Sequence, residues 1–141
     1  MTEVAAAEAL ILAQMPRFPA RQEPLSACGG RVLAEDVHAE RDQPPFDRVT
    51  MDGIAIAFRD FAAGVRSFDV VGTQGGGAEP LAAAASQCVE VMTGSVLPRG
   101  ADTVVPVERV RRDGAAAAIV DDASVKADQF VHRRATERAQ R

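Results

Sequence analysis

The stretch from Gln87 to Val120, QCVEVMTGSVLPRGADTVVPVERVRRDGAAAAIV, decides the fold of this chain. Its valine-rich runs suit pleated sheets, and their short length and their glycine and proline punctuation are typical of small barrels and sandwiches. An Asp113-Gly114 pair between the last two runs predicts a hairpin turn. The four predicted strands are Gln87 to Met92, Thr103 to Val107, Arg109 to Arg112 and Ala116 to Val120.

The same pattern extends toward the N-terminus. Thr2 to Met15 is predicted to form a helix that Thr2 caps and Pro16 ends. The fold class is therefore α+β and mainly β, a small antiparallel barrel or sandwich of short strands with an N-terminal helical segment. The remaining predicted elements are strands at Ile54 to Phe58 and Phe68 to Thr73, a helical turn at Leu25 to Gly29, and a turn leading into a short strand at Arg31 to Ala39.

Composition excludes some classes of function. The hydrophobic class makes up 47% of the 141 residues, but 27 of its members are alanine, and tryptophan and tyrosine are absent. An aromatic platform for stacking single-stranded nucleic acid is therefore not expected. The formal net charge of -4 also argues against sequence-independent binding of a polyphosphate backbone. We expect no nucleic-acid partner.

The cysteines and the N-terminus indicate the compartment. Cys28 and Cys88 lack the spacing of a zinc site, so we expect both to be reduced and buried. The apolar run from Ala5 to Met15 is too short and too rich in alanine to span a bilayer. Glu3 stands where a signal peptide would carry positive charge. We expect no membrane association and a cytoplasmic location.

Three clusters combine residue types that can carry chemistry. In the first, Pro44-Pro45-Phe46-Asp47 is followed by Thr50-Met51-Asp52-Gly53. One interpretation is a stiff loop in which Asp52 caps a turn and Gly53 supplies a positive φ. The other is a carboxylate able to bind a hard cation such as Mg²⁺ together with a substrate phosphate. The residues by themselves favour the first interpretation.

The second cluster is Met92-Thr93-Gly94-Ser95, followed by Leu97-Pro98-Arg99-Gly100-Ala101-Asp102. A hydroxyl beside a glycine at a strand end lets N–H and O–H groups converge on an anionic oxygen. In the alternative, Thr93 and Ser95 cap their own backbone in a turn. The sequence does not separate these two interpretations.

The third cluster is the basic end, His132-Arg133-Arg134-Ala135-Thr136-Glu137. Two arginines can clamp a phosphate, and the acid that follows could hold a metal ion. The alternative is a frayed, solvated terminus, which is the default for the last residues of a chain. No nucleophile and base stand at a catalytic spacing anywhere in the sequence.

Taken in order, these clusters closely resemble the N-terminal half of the molybdopterin molybdotransferases, the MoeA-like and gephyrin E-domain family. That family reads roughly PPFDNSxMDGYA and then MTGAxxPxGADxVVxxE, a motif whose final acid here is Glu108. The segment from Gly30 to Asp36 is similar to the family's GRVLAED stretch. The resemblance extends over nearly the whole chain.

The resemblance implies a late step of molybdenum cofactor synthesis. In that step molybdate is inserted into adenylylated molybdopterin, and AMP is released with the help of Mg²⁺. Asp52 matches the family's functional acid and Thr93 its threonine, so these are the expected catalytic residues, with Asp52 also the expected metal ligand. The expected substrate-binding residues are Gly53, Gly94, Ser95 and Glu137.

The sequence departs from the family pattern at three places. Arg48-Val49-Thr50 stands where Asn-Ser-x is usual, and Ile54 replaces the tyrosine of MDGYA. Both changes are expected to alter contacts beside Asp52. Ala135 stands where the family has a glycine, two residues before Glu137, so the local backbone is expected to differ there.

The resemblance also implies a division of labour. Residues 1–43 would hold a helical segment and the first part of an elongated dimerisation region, and 44–141 a barrel-like subdomain, with the pterin-binding domain absent. We expect this chain to form one wall of a cleft shared within a homodimer, to dimerise weakly, and to be inactive by itself. The alternative is a non-catalytic binding or assembly module, and the reading frame beyond Arg141 would separate the two.

Overall fold

The structure is a computed structural model that describes residues 2–16 and 18–137. The chain forms two compact units, one extending to Val37 and one beginning at His38. In the first unit, helix α1 spans Val4–Gln14 and a 3-10 turn spans Leu25–Ala27. Both elements lie within the segments for which helical structure is predicted.

Two expectations for the first unit are wrong. The residue before α1 is Glu3 and not Thr2, and no side chain caps the helix. The predicted strand between Arg31 and Ala39 does not form. Val32 and Leu33 are 94% and 72% exposed, so the apolar residues that suggested a strand pack against no sheet. A strand needs a partner for its backbone groups, and this segment has none within the described residues.

The second unit is built around a six-stranded sheet with the strand order β5-β2-β4-β3-β7-β6. The mainly β prediction is therefore confirmed, and the Asp-Gly hairpin joins β6 to β7. A separate two-stranded ladder pairs β1 with β8. The strands are β1 Arg48–Val49, β2 Gly53–Ile56, β3 Ser67–Gln74, β4 Gln87–Val91, β5 Thr103–Pro106, β6 Val110–Asp113, β7 Ala116–Ile119 and β8 Val131–His132.

One strand pair departs from the antiparallel expectation, because β3 and β4 run parallel. A parallel pair needs a connection long enough to bring the chain back to the start of the sheet, and the glycine-rich segment 75–86 provides it. This connection lets β4 sit between β2 and β3.

Both faces of the central strands are buried. One face packs Ile54 and Ile56 of β2 against Phe68, Cys88 and residues of β7. The other face packs the alternate residues of the same strands, Ala55 and Val89 among them, against side chains from outside the sheet. Burial on both faces explains why β2 and β5 read as continuous apolar runs and show no alternation.

Helix α2, Phe58–Ala62, replaces the end of the strand that is predicted to reach Phe58. Asp102 Oδ1 accepts a hydrogen bond from the Phe58 backbone N–H at 2.7 Å, which satisfies one of the free donors at the helix start. Asp102 is far from α2 in sequence, so the residues around Phe58 do not by themselves predict this helix.

The two cysteines differ in burial. Cys88 is fully buried in the core, as expected, and burial raises its pKa to about 11, so the thiol stays protonated at neutral pH. Cys28 is only partly buried, because the short 3-10 turn before it has no packed core around it. The expectation that both are buried is wrong for Cys28.

Across residues 2–16 and 18–137, no helix combines the length and the apolar character that crossing a membrane would require.

Candidate functional site

Asp52 and Thr93 come together at one end of the sheet. Asp52 immediately precedes β2, and Thr93 follows β4 by two residues. The first residue of β2 pairs with the last residue of β4, Gly53 with Val91, so the antiparallel register places the two segments side by side. The Thr93 backbone N–H donates to Asp52 Oδ1 at 2.6 Å, and the Thr93 hydroxyl donates to the same oxygen at 2.7 Å.

These two bonds set the charge state of Asp52. The backbone N–H of Thr93, followed by its hydroxyl, holds the pKa of the Asp52 carboxyl below its usual value, so the group is ionised at neutral pH. Both bonds end on Oδ1, and Asp52 is exposed, so Oδ2 accepts no hydrogen bond from the residues that the structure describes. The arrangement offers a fixed, ionised carboxylate with one oxygen available to a ligand.

The sequence left open whether Thr93 caps its own backbone in a turn, and the structure shows a different contact. Its hydroxyl is the donor to Asp52. Asp52 in turn accepts from Thr93, at a sequence distance of 41 residues, and caps no local turn. For these two residues the structure favours a joined pair over two independent turns.

Gly53 is a glycine for a different reason from the one expected. Its φ is not positive, and it lies in β2 between β4 and β5. A Cβ added there would collide with the backbone carbonyl oxygen of Val105. The interpretation of Gly53 as a residue of positive φ is therefore wrong, and close approach of the β5 backbone is the cause.

Gly94 and Ser95 continue the loop after Thr93. Gly94 has a φ of 88°, and its N–H donates to the carbonyl of Val49 at 2.9 Å. Ser95 is fully buried, and its hydroxyl has no hydrogen-bond partner within the part of the chain that the structure describes. Thr93 thus faces solvent and Ser95 faces the interior, so their two hydroxyls do not converge. Roles for Gly53, Gly94 and Ser95 in substrate binding stay predictions.

Asp47 lies in the same motif as Asp52 but has different surroundings. Arg133 donates to Asp47 Oδ2 at 2.6 Å, and the Arg134 backbone N–H donates to Oδ1 at 2.8 Å. The backbone bond from Arg134, and after it the Arg133 side chain, holds the pKa of Asp47 below its usual value. Both oxygens of Asp47 are engaged, so this acid ties the basic end to the proline-rich loop.

The described part of the basic end is therefore ordered by ion pairs. Arg133 also contacts Asp128, and Arg134 Nε donates to Asp42 Oδ2 at 2.6 Å. Neither the frayed-terminus alternative nor a free pair of arginines for clamping phosphate describes this segment. Its last residues, 138–141, lie outside the described part of the chain.

Glu137 lies beside two basic side chains. Its Oε1 is 3.5 Å from His132 Nδ1 and 3.9 Å from Arg48 Nη2, and the side chain is 54% exposed. Arg48 and His132 are partners in the β1–β8 ladder, and 3.2 Å separates Arg48 Nη2 from His132 Nδ1. The family departure at Arg48 thus contacts Glu137. The role of Glu137 in substrate binding stays a prediction.

Ala135 keeps the conformation that a glycine would adopt. Its φ is 62°, and its N–H donates to the carbonyl of Pro44 at 3.1 Å. The contact with the proline-rich loop fixes this left-handed conformation despite the Cβ, and a difference from the family backbone stays a prediction.

Ile54 does not lie where its departure from the family pattern suggests. Its side chain is buried in the core and is only 2% exposed. Ile54 packs in the same core cluster as Ile56, Phe68 and Cys88, so this departure lies in the packing of β2. The expected change of contacts beside Asp52 stays a prediction.

The described residues contain no group of three or more His, Cys, Asp or Glu side chains that could hold a metal ion by themselves. Mg²⁺, however, is commonly bound by one or two carboxylates together with substrate phosphates and water. The available Oδ2 of Asp52 fits that mode, in which the substrate completes the coordination.

Gln74 belongs to this site and was missed from the sequence. It is buried at 1% exposure and contacts the loop that carries Thr93. A lone glutamine at a strand end carries no sequence signal for such a role, and its contact with Val96 depends on the parallel pairing of β3 and β4.

Comparisons with known proteins show which family this chain belongs to. Residues 2–141 match the family model described as the MoeA N-terminal region, domains I and II. A molybdopterin molybdenumtransferase of Synechocystis is 39% identical over 97% of this chain, and one of Synechococcus elongatus is 37% identical over 91%. This chain covers 35% and 33% of those two proteins.

Solved structures give the same result for the fold. The crystal structure of a molybdopterin biosynthesis MoeA protein from Pyrococcus horikoshii OT3 matches with a TM-score of 0.72 and 30% identity. The match covers 83% of this chain and 31% of that protein. The chain therefore spans about a third of the length of the proteins it resembles.

Proposed function

The chain belongs to the family of MoeA N-terminal regions, and on that premise we propose that it is the N-terminal part of a molybdenum cofactor biosynthesis enzyme. The proposed reaction inserts molybdate into adenylylated molybdopterin with release of AMP. One observation carries the proposal: Thr93 holds Asp52 ionised, and the second Asp52 oxygen has no hydrogen-bond partner among residues 2–16 and 18–137. The chain would form one wall of a cleft that a further domain completes.

Asp52 and Thr93 have distinct roles in this proposal. Asp52 supplies the negative charge that binds a cation next to the adenylate phosphate, and Thr93 fixes the direction of its carboxylate. Mg²⁺, when bound, would neutralise phosphate charge as AMP leaves. Gly53 lets the β5 backbone approach the acid, and Gly94 gives the Thr93 loop its positive φ.

Ser95 and Glu137 complete the proposed site as substrate-binding residues. Glu137 is exposed and lies between His132 and Arg48, so its carboxylate is held while still accessible. Ser95 is buried under the loop, so its hydroxyl would serve only after the loop opens. Of the two, Glu137 has the better-placed side chain.

A chimera tests the function directly. This chain would replace the matched N-terminal region of the Synechocystis molybdenumtransferase, and AMP release and molybdenum incorporation would be measured with adenylylated molybdopterin, molybdate and Mg²⁺. We expect an active chimera, and a loss of turnover of about 100-fold or more in Asp52→Ala, as removal of a ligand commonly produces. Asp69→Ala is the matched control, since Asp69 is exposed on β3 and its side chain makes no hydrogen bond within the described residues.

Two results would overturn the proposal. Unchanged turnover in Asp52→Ala would remove Asp52 from the mechanism. A folded but inactive chimera that still binds the pterin would favour the alternative, a non-catalytic binding or assembly module.

We also propose that the unit extending to Val37 takes part in a homodimer. No residue of α1 is buried, and Leu10, Ile11 and Leu12 are each more than 60% exposed. Apolar surface of this kind is commonly covered by a partner chain. Light scattering over a range of concentrations should show association that Ile11→Glu weakens and the neighbouring control Gln14→Glu does not. A concentration-independent monomer would contradict the dimer.

The proposal includes a cytoplasmic location for this reaction, which fractionation of cells that produce the protein would test. It also includes the roles assigned to residues 1–43 and 44–141, the first in dimerisation and the second in forming the wall of the cleft.

A further inference from the structure

Gln74 is the last residue of β3 and one of the few polar side chains buried in the core. Its amide is satisfied on both sides. Gln74 Oε1 accepts from the Leu81 N–H at 2.7 Å, and Nε2 donates to the carbonyl of Val96. Its own backbone carbonyl accepts from the Met92 N–H at 3.2 Å. One residue thus contacts both ends of the loop from Met92 to Val96.

The same loop is held on its other side by β1. Gly94 donates to the carbonyl of Val49 at 2.9 Å, and the Val49 N–H donates to the carbonyl of Ser95 at 2.9 Å. Thr93 lies between these two supports and directs its own N–H and hydroxyl to Asp52. Since both donors of Thr93 follow the loop, the direction of the Asp52 carboxylate depends on how firmly the loop is held.

We propose that Gln74 is a positioning residue for Thr93 and, through Thr93, for Asp52. Gln74 itself does not contact Asp52, and its importance for catalysis rests on the function proposed above. Its effect on Thr93 is a property of this chain and needs no substrate.

The position requires an amide. The Leu81 N–H and the Val96 carbonyl are partly buried, so the first is best satisfied by an acceptor and the second by a donor, and glutamine supplies both from one planar group. Methionine has a similar volume and supplies neither. A neutral glutamic acid supplies both, whereas its ionised form supplies no donor and adds a buried charge.

Nuclear magnetic resonance of this chain tests the proposal. The chemical shift and the hydrogen exchange of the Thr93 amide proton would be compared in the wild-type protein and in Gln74→Met. Since its N–H bonds to a carboxylate at 2.6 Å, the Thr93 proton is expected to lie downfield in the wild type. We expect Gln74→Met to move it upfield and to speed its exchange by roughly tenfold relative to the amides of β2 and β4, the effect of one lost hydrogen bond.

Thr103→Val is the matched control. Thr103 is also fully buried, and its hydroxyl accepts from the Asp128 N–H, away from the Thr93 loop. This variant should leave the Thr93 shift unchanged and should not speed exchange at Thr93 relative to the strands. Equal acceleration at Thr93 and in the strands of Gln74→Met would show a purely structural role and would overturn the proposal.

Gln74→Glu provides a conservative rescue if Gln74→Met does not fold. Burial raises the pKa of a carboxyl, so a glutamic acid at this position should be neutral at about pH 5. At that pH the variant should restore the wild-type chemical shift of the Thr93 amide proton. Loss of that signal at about pH 5 in a folded Gln74→Glu protein would contradict the proposal.

The chimera separates this proposal from the proposed function. If the chimera is active, Gln74→Met should lower its turnover by roughly tenfold, in the range that supporting residues around a site produce. An inactive chimera with an intact Thr93 response would overturn the proposed function and leave the role of Gln74 supported.

Discussion

Asp47 and Asp52 belong to one short motif and differ sharply in their surroundings. Asp47 accepts hydrogen bonds on both oxygens, from Arg133 and Arg134, and joins the proline-rich loop to the basic end. Asp52 accepts both of its bonds on one oxygen, from the single residue Thr93, and its other oxygen accepts none from the described residues. The first acid stabilises the fold, and the second is available for a ligand.

The proposed role of Asp52 rests on this difference. Both carboxyls have a lowered pKa, so the charge state does not separate them. What separates them is the number of oxygens that the protein itself occupies. Each Asp47 oxygen already accepts a hydrogen bond, whereas Asp52 keeps one oxygen whose two acceptor sites are used by no side chain or backbone group of the described residues.

The largest expected effect concerns the backbone that carries Asp52. Gly53→Ala should lower the free energy of unfolding by about 3 kcal/mol, because the added Cβ collides with the Val105 carbonyl. Urea denaturation would measure it, with Gly76→Ala as the control, since a Cβ at Gly76 meets no atom within 4 Å. A small loss of stability would mean that the backbone at Asp52 is loosely packed. Close packing of β2 against β5 would then not explain why only one Asp52 oxygen accepts hydrogen bonds.

The second effect concerns Asp47. Asp47→Asn should lower the free energy of unfolding by about 1 to 2 kcal/mol, because one acceptor facing Arg133 or the Arg134 N–H is replaced by a donor. The loss is modest because the Asp47 side chain is 35% exposed, so solvent screens the ion pair. Asp52→Asn in the same denaturation series is the comparison and should cost less, because this carboxylate is exposed and an asparagine Oδ1 can still accept both Thr93 bonds. Equal losses in both variants would erase the distinction between the two acids.

The third prediction is the pH dependence of the Asp47 contribution. The folded-state pKa lies below the usual value of 3.8, so folding favours the ionised form. The stabilisation is therefore fully present above about pH 4 and is lost as the pH falls through the lowered folded-state pKa. The stability gap between the wild type and Asp47→Asn should be the same at about pH 5 and pH 7 and smaller near pH 3. A gap that grows on acidification would contradict the assignment.

The smallest expected effect is a gain. Ala135→Gly should raise the free energy of unfolding by about 0.5 to 1 kcal/mol, because the left-handed φ of 62° strains a residue that has a Cβ. Ala127→Gly is the control, since Ala127 is exposed without a positive φ and should lose stability. Thermal denaturation of both variants would show opposite shifts. A loss of stability in Ala135→Gly would mean that the backbone is not strained at Ala135.

The sequence predicted most strands well and the contacts between them poorly. Valine-rich runs such as Phe68 to Thr73 indicated strands because β-branched residues pack on a sheet, and the structure places β3 there. The false strand near Val32 had the same local pattern but found no partner. Helix α2 was missed because Asp102, its hydrogen-bonding partner, lies 44 residues from Phe58.

The candidate site was predicted in the same uneven way. The motifs identified Asp52 and Thr93 as residues of interest, and the structure joins them. Ser95 looked equivalent to Thr93 in sequence but is buried, and Gln74 gave no signal at all. The parallel pairing of β3 and β4, which no local pattern predicts, brings Gln74 to the loop.

By itself, the sequence determined the mainly β fold, the hairpin at Asp113-Gly114 and the motifs that show the family, because these depend on residue type and short-range order. Only the tertiary structure decided which acid has both oxygens engaged by the protein's own donors and which has only one engaged. The partner of Asp52 lies 41 residues away and that of Asp47 lies 86 residues away. A carboxylate's free capacity depends on such distant donors, so it becomes defined only when the chain has folded.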